Sequence, residues 1–514
     1  MKLPFPERIS LTHAGMFASL LMAAQLLTGT HVYFACCVFV YVILSVVAFN
    51  AVGGLYRPAG SYILFNSVLG LILSQMVKAL LGEAADTNLF DPNLTITVYL
   101  VGSFALLLAA LASKRIRPRT SLLAKSDETS KLPQMAMGCF VMGVGTLFLP
   151  GAAEGSIASA VRQLGLFLPL SIILATYHNI KTSHGRRSVN WMVILAGGFT
   201  FVSGLVGSSK EGIFTPIAAY VMTCAALNYR FRRIQIVVFV CAGIFAVEYL
   251  VPYAQVARNY GVEATTRSGL IATRYALLTD PERVQSEYKA SAADFVTSSD
   301  HHYFNVDTKL MERFALISIN SKLIHYADTV QFRGWHTMLL SIESVMPHFL
   351  WKDKPKDDFG NIYAREIGVL GEGDTSTGVS FGIYSDGYYI GGWVGILLGV
   401  PVFVTLYFFA MDVILPDIRK SPWSIALLVS NLHFGPESTL TQMIPVALVT
   451  SIKIGITILL ARYVLPIIGN LLVGPAAKRI WRVAAPRPIG RRAASLASAD
   501  GMLRPRTVTQ PPVK

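Results

Sequence analysis

Apolar and polar positions alternate along this chain in long blocks. Apolar runs near the length that crosses a hydrocarbon core of roughly 30 Å, about 20 residues each, fall at 11–29, 31–51, 61–81, 94–112, 134–153, 158–176, 189–208, 212–228, 234–252, 387–411, 422–436 and 441–467. They predict an all-α polytopic membrane protein with about 12 transmembrane helices. One polar stretch, Tyr253–Phe381, interrupts them. A loop so long between spans with short connections is where a membrane protein places its chemistry. The predicted organisation is therefore helices 1–9 over residues 1–252, a large loop over 253–381, helices 10–12 over 382–473 and a tail over 474–514. The first run follows Lys2 and Arg8 as a leader peptide would, but no small-residue cleavage pattern follows it and a second run comes almost at once, so it reads as retained.

Inside the loop, Trp335, Met338, Leu339, Ile342, Val345, Met346 and Phe349 recur at helical spacing while His336, Thr337, Ser341 and Glu343 take the other faces. A helix along the membrane surface fits that amphipathic pattern, and so does a helix packed on the loop's own core. Beyond Val473 the chain turns to Arg, Pro, Ala and Ser, with Lys478, Arg479, Arg482, Arg487, Arg491, Arg492, Arg504 and Arg506. Too little apolar surface is left there to fold alone, so a disordered basic tail is expected, drawn to anionic membrane lipid by about 1 kcal/mol per basic residue near the surface. Aromatic residues do not interleave these cations, and nucleic acid is not read as a partner.

Composition agrees: of 514 residues, 53% are hydrophobic and only 14% charged, outside the range of an ordinary soluble domain. The net charge of +14 matters less than where it falls. Arg57, the group Lys114, Arg115, Arg117, Arg119, Lys125 and Lys131, then Lys181, Arg186 and Arg187, then Arg230, Arg232 and Arg233, and finally Arg419 and Lys420 mark alternate connections, whereas Gly82–Asn93 holds no base. Basic loops stay in the cytoplasm, so both termini are expected there and the large loop on the other side, with thirteen Lys or Arg against sixteen Asp or Glu. All five cysteines lie in apolar runs, which points to neither a disulfide framework nor a thiolate metal site.

The motifs of ATP-binding loops, zinc proteases and serine hydrolases are absent. What remains are ionisable groups expected near the non-cytoplasmic face. Lys210 and Glu211 occupy the tight turn Gly207-Ser208-Ser209-Lys210-Glu211-Gly212 between two apolar runs, where an ionisable side chain is costly enough to suggest a role. Arg258, Arg267, Arg274, Arg333, Lys352, Lys354 and Lys356 follow. Such cations suit a lipid-linked pyrophosphate, whose leaving group gains negative charge as it departs. The plainer alternative makes most of them solvated loop charges. Asp386 lies among Tyr384, Tyr388, Tyr389 and Trp393 at the mouth of a run. Those aromatics are the usual interfacial belt, yet a carboxylate among them could take a proton from a sugar hydroxyl. His301, His302 and His348 are weaker bases, the first two reading as a solvated pair. With fixed cations meeting the charge, neither metal nor cofactor is required.

At these residues the chain resembles the bacterial Wzy-type O-antigen and exopolysaccharide repeat-unit polymerases. The turn at 207–212 is similar to the family's Gly-Ser-Arg turn; Met346-Pro347-His348-Phe349-Leu350-Trp351-Lys352-Asp353-Lys354-Pro355 is similar to its Pro-Arg to Lys-Pro stretch; and Ile383–Gly395 is similar to its Glu-x-Tyr-x-x-Phe-Gly-x-x-Gly helix start. Lys210 and His348 stand where the family has arginine, and Asp386 where it has glutamate. The resemblance implies a multi-pass inner-membrane glycosyltransferase that polymerises oligosaccharide units carried on undecaprenyl pyrophosphate at the periplasmic face. The candidate substrate contacts are Lys210, Arg258, Arg267, Arg333, Lys352, Lys354 and Tyr388, with Asp386 as candidate base and Glu211 in reserve, and the resemblance implies a chain-length regulator and a flippase as partners. An O-antigen ligase is the near alternative, kept open by His301, His302, His325, His336 and His348 in the loop. A polysaccharide transporter or flippase belongs to another class and often shows internal repeats, of which none is seen here. A subunit without chemistry is the fourth reading.

Overall fold

A helix stands at each of the twelve apolar runs in the computed structural model, which describes residues 1–123, 129–148, 166–260, 267–298, 302–305, 315–346, 351, 358–375 and 377–472. In chain order these are α1 (Leu11–Leu27), α2 (Val32–Val52), α3 (Pro58–Leu81), α4 (Pro92–Ile116), α5 (Leu132–Phe148), α6 (Phe167–Thr182), α7 (Trp191–Val206), α8 (Lys210–Ala226) and α9 (Arg233–Arg258). The loop then contributes α10 (Arg267–Leu278), α11 (Pro281–Ser298), α12 (Leu316–Thr329), α13 (His336–Ser344) and α14 (Phe359–Glu366). Last come α15 (Ile383–Ile414), α16 (Pro422–Glu437) and α17 (Leu440–Leu471). No strand forms among the described residues, apart from one isolated bridge between Lys2 and Arg230.

The molecule is thus an all-helical protein with membrane-spanning character. Among the described residues six helices, α2, α3, α4, α9, α15 and α17, are long and apolar enough to cross a bilayer, and α1, α5 and α7 are shorter apolar helices. The first half of α9 makes the case most clearly: Ile234, Val237, Val240 and Ile244 are each more than half exposed, which water would penalise and acyl chains do not.

Helix α4 packs on α2, α12 and both arms of α15; α16 packs on α3 at one side and on α6 and α8 at the other. A separate core joins Ile213 of α8, Ala246, Leu250, Tyr253 and Ala257 at the end of α9, Leu277 of α10, and Val284 and Tyr288 of α11. Residues 302–305 are fastened to the α3–α4 connection. The fully buried Tyr303 receives a hydrogen bond from Gln75 at 2.9 Å and donates to the Ala85 carbonyl, with the Lys78 ammonium 4.4 Å from its ring centre. Lys78 is itself buried, 3.4 Å from Glu83 and 2.7 Å from the Thr87 hydroxyl.

Helix α15 differs from the expected uninterrupted span at 387–411. Gly391 (φ −150°, ψ 23°) and Gly392 (φ 57°, ψ −139°) leave helical geometry and divide it into a short arm, Ile383–Ile390, and a long helix from Trp393. The Gly392 conformation is closed to residues bearing a Cβ. The arms meet backbone to backbone at Gly387 and Gly395. The carbonyls left open at the end of the short arm accept from the loop: Arg333 N–H reaches the Tyr389 carbonyl at 2.8 Å and Gly334 N–H the Ile390 carbonyl at 3.0 Å. At the other end, Asn320 accepts from Gly382 N–H at 2.9 Å and from the Ser385 hydroxyl at 2.8 Å.

The chain divides into units Met1–Gly469 and Asn470–Lys514. Truncation after Pro475 is therefore expected to leave the first unit folded, giving an unchanged elution volume in detergent; aggregation of the truncated protein would refute this.

Candidate functional site

The turn between α7 and α8 is formed by close approach. A Cβ on Gly204 would stand 2.4 Å from the Gly212 carbonyl carbon, so the two helices touch through their backbones. Ser208 takes φ 50° and Ser209 caps α8, its hydroxyl accepting the Gly212 N–H at 3.1 Å. The final carbonyls of α7 and its turn are met by three side chains of α9 and α10. The Tyr253 hydroxyl donates to Leu205 O at 3.3 Å, Arg274 donates to Val206 O, and Arg258 Nε donates to Ser208 O at 3.3 Å. Cations at a helix C-terminus are favoured by its partial negative charge. Lys210, the first residue of α8, donates to Gln255 Oε1 of α9 at 2.9 Å. The structure thus brings Lys210 and Arg258 to one turn. Arg267 opens α10, and its side chain lies outside the described residues.

Glu211 follows with its side chain 63% exposed and Oε2 3.8 Å from His433 Nε2. His433 Nδ1 lies 3.5 Å from Glu437 Oε1, one turn along α16, and the Ser380 hydroxyl donates to Glu437 Oε2 at 2.6 Å. Glu211, the residue after Lys210, therefore meets His433 and Glu437 at an accessible edge. Sequence reasoning passed over both of these; the signal was a histidine and a glutamate four apart on a helix otherwise apolar at that end.

Asp386 belongs to a second group. Its carboxylate has no solvent exposure, and Oδ2 accepts from Thr441 N–H at 3.0 Å and from the Thr441 hydroxyl at 3.2 Å. Thr441 is the second residue of α17, so Asp386 satisfies an N-terminal amide there, while Thr439 and Gln442 form the capping box of the same helix. The Tyr363 hydroxyl lies beside Asp386, though neither Tyr363 Oη nor Asp386 Oδ1 meets strict hydrogen-bond geometry. Burial pushes the Tyr363 phenol well above its ordinary range and the neighbouring carboxylate adds to this, so the hydroxyl keeps its proton.

The Arg333 guanidinium sits 5.3 Å from the Tyr363 ring centre, pairs with Glu366 and donates from Nε to the Thr337 hydroxyl at 3.2 Å. Burial would lower its pKa, and the pairing with Glu366 outweighs that and raises it. Glu366 also accepts from the Tyr389 hydroxyl at 2.8 Å. Tyr388 turns to another partner, donating to Asp328 at 3.0 Å, and packs edge-on against Phe332 and Trp393. Lys352 and Lys354, like His348, lie outside the described residues.

A general base has to come within about 2.6–3.2 Å of the hydroxyl it deprotonates. Glu211 is open to such an approach; Asp386 is enclosed and bonded to α17 in this conformation. Asp386→Leu is expected to leave the Thr441 N–H unsatisfied and to cost about 1–3 kcal/mol, with Asp386→Asn milder because its amide oxygen still accepts. Thermal unfolding in detergent reads the difference, and an unshifted melting temperature for Asp386→Leu would remove the capping role.

Fold and site together define an all-helical membrane-embedded protein with two cations gathered at the α7–α8 turn beside an exposed carboxylate, and a polar cluster at α13 and α14 that is buried at Asp386 and Tyr363 and open at Glu366. No protein-family model, curated protein or solved structure matches the chain.

Proposed function

We propose that the chain is a membrane-embedded glycosyltransferase that polymerises oligosaccharide repeat units carried on undecaprenyl pyrophosphate. The observation that carries this reading is the meeting of Lys210 and Arg258 at one tight turn with exposed Glu211 beside them. Lys210 and Arg258 neutralise the departing pyrophosphate. The acceptor sugar's hydroxyl oxygen attacks the anomeric carbon from the face opposite the leaving group. A new C–O bond forms as the bond to the pyrophosphate oxygen breaks, the electron pair leaves with the lipid pyrophosphate, and the hydroxyl proton passes to Glu211. Asp386 positions α17 and the α16–α17 connection that follows Glu437. The reaction proceeds on the periplasmic side of a bacterial inner membrane, with both termini cytoplasmic and twelve crossings.

Two measurements test this. Cysteines placed at Gln331 and Arg186, both exposed, are expected to be labelled from opposite sides of the membrane, Gln331 from the periplasm; labelling from one side would break the topology. Deleting the gene is expected to leave single-unit glycan caps on gels. Full-length polymer left unattached would point to a ligase, and loss of the translocated intermediate to a flippase.

A further inference from the structure

We propose that the segment Phe332–Met346, built around α13, lies in the plane of the membrane with its outward face among the lipid acyl chains, and so holds the Arg333–Glu366 cluster at a fixed depth. This stands apart from the chemistry proposed above.

Helix α13 is inside out by the rule of a water-soluble protein. Its buried face is mainly small and polar: Thr337, Ser341 and Ser344 are at most 5% exposed, alongside Met338. Its outward stripe is large and apolar, with Trp335 at 40%, Leu339 at 57%, Ile342 at 50% and Met346 at 43%. The inner hydroxyls are all occupied. Ser341 donates to the Thr441 carbonyl, Ser344 to the Ser341 carbonyl at 2.8 Å, and Thr337 accepts from Arg333. Such a helix has its polar face satisfied by protein and its apolar face unpaired, the arrangement lipid favours and water opposes. Nine residues reach only about 13 Å at 1.5 Å per residue, less than half a hydrocarbon core, so α13 cannot cross.

Continuity names the occupant. The Trp335 ring rests on the bend of α15: a Cβ on Gly391 would meet it at 3.1 Å and one on Gly399 at 3.3 Å. Beyond the bend Trp393, Val394, Leu397 and Leu398 are exposed in turn on a helix long enough to span. Phe332, 48% exposed, joins the two surfaces through Tyr388, which also packs on Trp393. One apolar wall therefore runs from the spanning part of α15 onto α13, and what covers the first covers the second.

The test places a diazirine amino acid at Leu339, at Ile342 and, as control, at Gln331, in full-length protein reconstituted into phosphatidylethanolamine–phosphatidylglycerol vesicles. Irradiation is expected to give phospholipid adducts by mass spectrometry at Leu339 and Ile342, at least fivefold above Gln331. Adducts to a second copy of the chain, or water addition equal to that at Gln331, would overturn the proposal. In case a variant inserts poorly, Trp fluorescence of unmodified protein is compared with Trp335→Phe. Chain-labelled doxyl lipid is expected to quench the Trp335 contribution more than iodide does, and the reverse order would also overturn it.

Discussion

Lys210→Ala and Glu211→Gln are each expected to cut polymer formation from lipid-linked repeat units on the order of 10²–10³-fold in reconstituted vesicles at matched protein level, the range for removing one pre-placed electrostatic or proton-accepting group. The two losses differ in kind. Without Lys210 the turn loses a cation held against Gln255, and in the proposed reaction the leaving pyrophosphate would meet less positive charge as its bond breaks. Without the Glu211 carboxylate the acceptor hydroxyl in the proposed reaction would keep its proton, while the exposed edge beside His433 keeps its shape. Lys210→Arg is expected to retain most activity, since a guanidinium restores the charge and adds bidentate geometry. Wild-type chain lengths in both loss variants would show that these side chains only cap and solvate the α7–α8 turn, as Arg258 and Arg274 do for its carbonyls.

Gly395→Ala is expected to produce a large loss of stability. A Cβ there would lie 1.9 Å from the Gly387 carbonyl oxygen, a backbone atom with no rotamer by which to move aside. Overpacking costs about 1–3 kcal/mol where side chains can shift, and here the two arms of α15 must separate, so the upper end of that range or beyond is expected. Gly392→Ala adds strain of about 1–3 kcal/mol by forcing a side chain into a positive-φ conformation. Gly145→Ala in α5, where a Cβ meets nothing within 4 Å, is the control, expected to unfold at or slightly above the parent temperature. If Gly395→Ala melts with the control, the contact between the arms is not required.

The helices were legible because lipid-length apolar runs with breaks between them carry their own periodicity. The start of α15 was not. From Gly387 through Met411 no charged residue interrupts the apolar run, and only Gly391 and Gly392 mark the bend; glycine pairs also occur in straight helices, as Gly197–Gly198 does in α7. For the same reason Asp386 read as a residue at a span mouth. Its enclosure depends on Thr441 and Tyr363, distant in sequence, meeting it only once α17 and α14 are packed. The 207–212 turn was readable because its glycines and serines dictate tightness locally, whereas the partners of Glu211 lie more than two hundred residues away on α16. Of the two readings of α13, exposed Leu339 and Ile342 favour the membrane-surface one.

The Tyr303 anchorage bears on how the large loop can move. To lift residues 302–305 from the α3–α4 connection, the buried phenol must give up Gln75 and Ala85 together, and the Lys78 ammonium must lose its aromatic cover while still out of water. Such an opening approaches the cost of unfolding the neighbouring helix ends, so it is a rare event. In hydrogen–deuterium exchange the amides around Tyr303 and Phe304 should consequently be among the slowest of the loop's described residues, and motion of the loop has to pivot about this segment rather than raise it.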